Sequence, residues 1–220
     1  MPLSVPAVAL KPEYRPTLAQ LLAPSWQRAS RGMRLLMIAL GAAFVVGVAA
    51  LVLTLLPARI SYGGPVPFSF SYRGLHRVDP AAGGDVRVER RSASGRLLDS
   101  FAVAPLRLPP YAGGLSGELP LFSVGYIHAL AGRYAGFQLQ GEGKTRVNTA
   151  PAYNIYYSVL VAGQRMYGRD VLLVPERPGA RDGVAIAMLT SPQSSAQVTS
   201  PLLVATAGVL YKPLRTFSFS

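Results

Sequence analysis

An uncharged apolar run near the N-terminus constrains this chain more than any other feature of its sequence. The run extends from Leu35 to Leu56 and reads LLMIALGAAFVVGVAALVLTLL, without one charged side chain. As an α-helix these residues extend roughly 33 Å, which is enough to cross a hydrocarbon core of about 30 Å. A buried helix of a soluble domain rarely has so long an apolar run. We therefore predict a transmembrane helix at residues 35–56, with Gly47 inside it.

A cleaved signal sequence is the alternative interpretation of the same run. In this chain 34 residues precede the run, and the run is longer than the apolar region of roughly 7–15 residues in signal peptides. A stable anchor fits these lengths better. The chain is thus expected to be a single-pass protein of the cell membrane.

The charged residues that flank the run predict its orientation. Arg28, Arg31 and Arg34 come immediately before it, whereas Arg59 alone follows it closely. Because basic residues are enriched on the cytoplasmic side of a span, we expect a cytoplasmic N-terminus and an extracytoplasmic C-terminal domain.

The rest of the chain divides into three further segments. Residues 1–34 are expected to form a flexible tail because of their prolines, with a short helix near 17–22 that begins at a capping box. Residues 57–65 contain a cluster of glycine and proline and are expected to be a linker. Residues 66–220 are expected to form the extracytoplasmic domain.

Small side chains recur along the predicted span. Ala39, Ala43 and Gly47 are four residues apart, so they share one helix face on which a second helix can approach closely. This spacing is a weak indication of self-association, because alanine and glycine are common in such spans.

The domain alternates between strand-like and helix-like patterns. Period-two alternation and β-branched residues indicate strands, and apolar residues at helical spacing indicate a helix. The predicted strands are 68–72, 86–89, 97–103, 153–161, 166–174 and 183–189; the predicted helices are 119–134 and a final helix from Ser200 to about Lys212. This order predicts an α+β fold with a mostly antiparallel sheet and flanking helices.

Four segments of the domain resemble the Mog1/PsbP-like family over residues 66–220. They are Pro67–Phe70, Ala150–Tyr157, Tyr167–Val174 and Leu214–Phe219. The resemblance implies a compact sheet with flanking helices that serves as a binding or assembly module. It implies no catalytic residues.

Residues with catalytic potential are sparse. The chain has no cysteine and only two histidines, His76 and His128, neither of which has the spacing of a metal site or a nucleophile. We expect no metal, no cofactor and no enzymatic activity, and predict an accessory binding module whose partner is another membrane or envelope protein. The alternative is a membrane-tethered hydrolase or ligand-processing enzyme, with a site made from dispersed carboxylates and one of these histidines.

The net charge of +12 suggests anionic partners. Arg87, Arg91 and Arg96 crowd one predicted hairpin, where they would contact lipid headgroups or an anionic envelope polymer. An ordinary solvated surface is the alternative and is commoner for scattered charges. Nucleic acid is a poor candidate for the partner of an exported domain.

Overall fold

Helix α1 is the apolar element that the sequence predicts near the N-terminus. The structure, a computed structural model, describes residues 30–79, 86–112, 114–177 and 179–220. In it α1 spans Arg31–Leu55 and is the one helix of the described residues long and apolar enough to cross a membrane. Large apolar side chains on α1 are exposed, among them Leu35 at 68% and Phe44 at 72%. The short helix expected near 17–22 lies outside the described residues.

The chain divides after Leu55 into two units, and the second unit, Leu56–Ser220, is α+β. Its strands and helices, in chain order, are β1 (Ala58–Tyr62), β2 (Phe68–Tyr72), β3 (His76–Val78), β4 (Val86–Arg91), β5 (Leu97–Arg107), α2 (Leu115–Arg133), β6 (Ala135–Val147), β7 (Ala150–Val161), β8 (Gln164–Leu173), β9 (Asp182–Thr190), a 3-10 turn (Pro201–Leu203), α3 (Tyr211–Thr216) and β10 (Ser218–Phe219).

The strands form two sheets in which every described pair is antiparallel. The larger sheet has the order β3-β4-β5-β9-β8-β7-β6, and the smaller has the order β1-β2-β10. The predicted architecture, a mostly antiparallel sheet with flanking helices, is therefore confirmed.

The central strands of the larger sheet are buried on both faces. Side chains alternate between the faces along each strand, so on β8 Val171 and Leu173 point to one face and Leu172 to the other. The first face packs against the smaller sheet, with Phe70 and Phe101 at 4.9 Å between ring centroids. The second face packs against α2, which contacts β6 and β7.

The structure differs from the sequence-based elements in several places, three of them large. Ala58–Tyr62, inside the expected linker, form β1 and pair with β2. The thirteen-residue strand β6 was not predicted. The expected continuous helix from Ser200 to Lys212 is wrong: a 3-10 turn at Pro201–Leu203 is followed by turns and by α3.

Backbone conformation explains why that last helix breaks. Ala205 has φ +61° and Gly208 has φ +73°, and neither value is compatible with a right-handed helix. Val204 is fully buried and Ala205 nearly so. Burial of this segment against the larger sheet thus replaces the helix that the Ser-Pro start signal favours.

Candidate functional site

An arginine-lined cavity lies where the β6–β7 turn, β8 and α3 meet. Its volume is about 260 Å³. Three arginines from separate parts of the chain, Arg146, Arg169 and Arg215, line it, and we call it the arginine pocket. The remaining lining residues are Val147, Asn148, Ala205, Tyr211 and Leu214.

Arg169 is the most enclosed cation of the arginine pocket. Its Nε and Nη2 donate hydrogen bonds to Asn154 Oδ1 at 3.2 and 3.1 Å, and its Nη1 donates to the Val204 carbonyl oxygen at 3.1 Å. Its Cζ also lies 5.3 Å from the ring centroid of Tyr156. All these partners are neutral, and no carboxylate of the described residues lies within 4.0 Å of the guanidinium.

This environment leaves a positive charge only partly compensated. Burial lowers the pKa of Arg169, yet a guanidinium stays protonated in proteins. A partly buried charge without a counter-ion is costly unless something pairs with it. An anion in the arginine pocket would supply that pairing through the N–H donors of Nη1 and Nη2 that the three hydrogen bonds of Arg169 leave free.

The other two arginines are more exposed and are held by local contacts. Arg215 Nη1 donates to the hydroxyl of Tyr211, and its Cζ lies 5.5 Å from that ring's centroid. Arg146 Nη1 donates to the Thr149 carbonyl oxygen at 2.9 Å, and its Nη2 lies 3.6 Å from Glu176 Oε1. The Arg146–Glu176 pair is solvent-exposed, so its electrostatic contribution is small.

The backbone around the arginine pocket is unusual. Of three non-glycine residues with positive φ in the described chain, two line the pocket: Asn148 at +52° and Ala205 at +61°. Asn148 begins the two-residue turn of the β6–β7 hairpin, where asparagine suits this conformation. Alanine adopts it rarely, and such residues concentrate at functional sites.

A second polar cluster lies buried beneath α2. Asp170 is fully buried on β8, where its two carboxylate oxygens accept hydrogen bonds from Tyr157 at 2.7 Å and Tyr126 at 2.8 Å. Burial raises the pKa of Asp170 to about 6; burial and the nearby carboxylate also raise the pKa of both tyrosines. Because the carboxylate is enclosed and its oxygens are occupied, this cluster is structural.

The arginines predicted from the sequence lie on β4 and in the β4–β5 turn but have different surroundings. Arg87 and Arg91 flank the buried Glu89, at 3.9 and 2.8 Å from its carboxylate oxygens. Arg96 is exposed in the β4–β5 turn and, with Arg91, lines a cavity of about 600 Å³ beside the β7–β8 turn. Contact of these three residues with an anionic surface stays a prediction.

The remaining predicted residues lie on surfaces. In α1, Ala39, Ala43 and Gly47 are exposed, and a side chain built at Gly47 meets no atom within 4 Å; self-association through this face stays a prediction. His76 on β3 and His128 on α2 are exposed. Within the described residues no group of three or more histidine, aspartate or glutamate side chains is arranged to hold a metal.

Sequence analysis did not find the arginine pocket, because its cations are far apart in the chain. Arg146, Arg169 and Arg215 are separated by 23 and 46 residues. One signal was available: Arg169 has the same strand parity as the apolar residues Val171 and Leu173, although Arg165 shares that parity too. An arginine on the same strand face as buried apolar residues needs a structural or functional explanation.

Comparisons with known proteins give fold-level similarity. No protein-family model matches the chain, and no curated protein matches it. Three similar solved structures are cyanobacterial PsbP (CyanoP) from Synechocystis sp. PCC 6803 (16% identity, 74% of this chain and 92% of that one, TM-score 0.49), the Ran-binding protein Mog1p of Saccharomyces cerevisiae (13%, 74% and 95%, 0.48), and LpqN of Mycobacterium tuberculosis, described as involved in cell envelope biogenesis (9%, 74% and 91%, 0.48). PsbP and Mog1p, after which the family that the sequence resembles is named, are thus among the similar solved structures.

Proposed function

We propose that this chain is an accessory binding module, tethered to the cell membrane by α1, that recognises an anionic group of a membrane or envelope partner through the arginine pocket. The observation that carries the proposal is Arg169, whose guanidinium has only neutral partners while it lines a cavity with two further arginines. Binding, without chemistry, is the function this site supports, since its lining residues include no carboxylate, histidine or serine.

The anion is expected to be a phosphate or a carboxylate. Arginine donates paired hydrogen bonds to either group, and such charge-assisted bonds are about twice as strong as neutral ones. Arg215 and Tyr211 lie at the exposed side of the pocket, so a group attached to a larger partner can enter there.

Thermal unfolding in the presence of inorganic phosphate tests this proposal. The full-length protein is placed in nanodiscs of zwitterionic lipid, and phosphate is compared with chloride at equal ionic strength. A ligand present at about 100 times its Kd stabilises the folded state by about 2.7 kcal/mol. We therefore expect phosphate to raise the unfolding midpoint of the wild type.

Two charge-neutralising variants locate the effect. Arg215→Gln removes an exposed pocket cation and should abolish most of the phosphate-dependent rise. Arg165→Gln changes another exposed arginine, on β8 but outside the pocket, and should keep the whole rise. The proposal fails if phosphate has no effect on the wild type, or if both variants respond alike.

The orientation of the tether has its own prediction. The arginines before the span favour a cytoplasmic N-terminus, so a reporter enzyme that becomes active only outside the cytoplasm should be active when fused after Ser220. A fusion partner that becomes active only inside the cytoplasm is the control, and should be inactive there. The reverse pattern would contradict the proposed extracytoplasmic location.

A further inference from the structure

A cleft opens between the two sheets, beside the end of β5 and the start of β9. Its lining residues are distant in sequence from those of the arginine pocket. Its volume is about 440 Å³, within the range of small-molecule sites. The smaller sheet and its β1–β2 loop contribute Tyr62, Val66 and Phe68, and the larger sheet contributes Val103, Leu106 and Val184. We call this the intersheet cleft.

The walls of the intersheet cleft are continuous with the first apolar core. Phe68, Val103 and Val184 are buried members of that core, whereas Tyr62 and Val66 are only partly buried and pack on its edge. The rings of Tyr62 and Phe68 stack at 5.0 Å between centroids. The core therefore reaches solvent here, and an apolar chain inserted between the sheets would remove apolar surface from water.

The rim of the intersheet cleft is basic. An adjoining cavity of about 480 Å³ shares Val66, Arg107 and Asp182 with it and adds Arg177 and Arg181. Three arginines and one aspartate thus line the entrance. Apolar walls with a cationic rim complement a molecule that has an apolar chain and an anionic end.

The cations of the rim differ in how far they are already paired. Arg181 is engaged by Glu118 Oε1 at 3.3 Å and by the carbonyl oxygens of Pro109 and Tyr111. Arg107 Nε lies 3.8 Å from Asp182 Oδ1, but both side chains are mostly exposed, so the pair is weak. Arg177 makes one long hydrogen bond, from Nη2 to the Ser220 carbonyl oxygen at 3.4 Å. Arg107 and Arg177 therefore have donors to offer an anion.

The strand arrangement argues against an extended peptide as the occupant. Peptides commonly bind by adding a strand to a free sheet edge. At the intersheet cleft, Arg107 of β5 pairs with Asp182 of β9, and Tyr62 of β1 pairs with Phe68 of β2. On the side of β5 and β9 the wall thus presents side chains rather than an open row of backbone groups, which suits an acyl chain.

We infer that the intersheet cleft binds a single-chain amphiphile with an anionic headgroup, whose acyl chain lies between the sheets and whose head contacts Arg107 and Arg177. This site is separate from the arginine pocket, with which it shares no lining residue. The inference holds whether or not the arginine pocket binds phosphate.

Photo-crosslinking of the full-length protein in zwitterionic nanodiscs tests the inference. The probe is dodecanoate carrying a diazirine near its methyl end, and dodecanol with the same diazirine is the neutral control. We expect adducts on tryptic peptides 60–73 and 97–107, which hold the cleft residues of β1, β2 and β5. A competing arm with excess unlabelled dodecanoate or lysophosphatidylglycerol distinguishes a free fatty acid from a single-chain lysolipid of the membrane as the source.

Variants test separately the region proposed to hold the acyl chain and the arginines proposed to contact the headgroup. Val66→Trp fills the cleft and should reduce labelling of both peptides by about tenfold, whereas Val124→Trp, on the exposed surface of α2, should leave it unchanged. Arg107→Gln with Arg177→Gln should weaken dodecanoate labelling of peptide 60–73 about tenfold without changing that by dodecanol. Adducts confined to α1, undiminished labelling of Val66→Trp, or equal loss for acid and alcohol in the arginine variant would each overturn the inference.

Discussion

Replacing Gly168 with alanine is expected to lower the free energy of unfolding by about 4 kcal/mol. Gly168 on β8 lies directly opposite Tyr157 on β7, and a Cβ added to it would lie 2.1 Å from the tyrosine ring. The ring cannot move aside freely, since Phe137 lies 5.4 Å away between centroids and Tyr157 is fully buried. Displacing the ring would also break its hydrogen bond to Asp170.

A matched glycine provides the control for this prediction. Gly143 on β6 has no atom within 4 Å of an added Cβ and does not have a positive φ. Gly143→Ala should therefore change the free energy of unfolding by less than about 0.5 kcal/mol. Urea denaturation of both variants in the same nanodiscs measures the two effects. If the two variants changed the free energy of unfolding by similar amounts, the packing of the Tyr157 ring would not require a glycine at residue 168.

The buried strands were predictable because they carry the simplest signal. On β7 and β8 apolar and β-branched residues continue through both faces, and the larger sheet indeed packs against the smaller sheet on one face and α2 on the other. The helix from Leu119 to Tyr134 was similarly visible from apolar spacing, and α2 spans Leu115–Arg133. In these elements local pattern and burial agree.

Strand β6 was missed for the opposite reason. It lies at the end of the described larger sheet and is mostly exposed, so three glycines and several polar residues replace the apolar alternation. Its existence depends on pairing with β7, a contact between segments that the sequence pattern of β6 alone does not reveal. Edge strands commonly carry such polar composition.

The candidate sites were less predictable than the fold. Both cavities form where segments distant in sequence meet, and their arginines have no fixed spacing. Ala205 illustrates the difficulty, because nothing in the local sequence favours its left-handed conformation; burial of Val204 and the hydrogen bond from Arg169 to the Val204 carbonyl hold it there. Such residues are determined by tertiary packing rather than by propensity.

The second large effect concerns pH. Burial raises the pKa of Asp170 from 3.8 to about 6, even though hydrogen bonds from Tyr157 and Tyr126 and the charge of Arg133 oppose the rise. At a pH below the lower of these two pKa values, the Asp170 carboxyl is protonated in both the folded protein and the unfolded chain. Between the two values the folded protein keeps a proton that the unfolded chain releases, so the free energy of unfolding falls as pH rises. The fall should amount to about 3 kcal/mol and be complete above the higher pKa.

Replacement of the carboxyl by an amide isolates this contribution from other titrating groups. Asp170→Asn keeps the shape and remains neutral, so the free energy of unfolding of the wild type should decline relative to this variant between pH 4 and 7, by about 3 kcal/mol. Asp182→Asn, at a carboxyl that is 64% exposed, is the control. Urea titrations at several pH values measure both. A constant difference for Asp170→Asn would mean that the buried carboxylate titrates as it does in the unfolded chain, and that its two tyrosine hydrogen bonds offset the whole cost of burial.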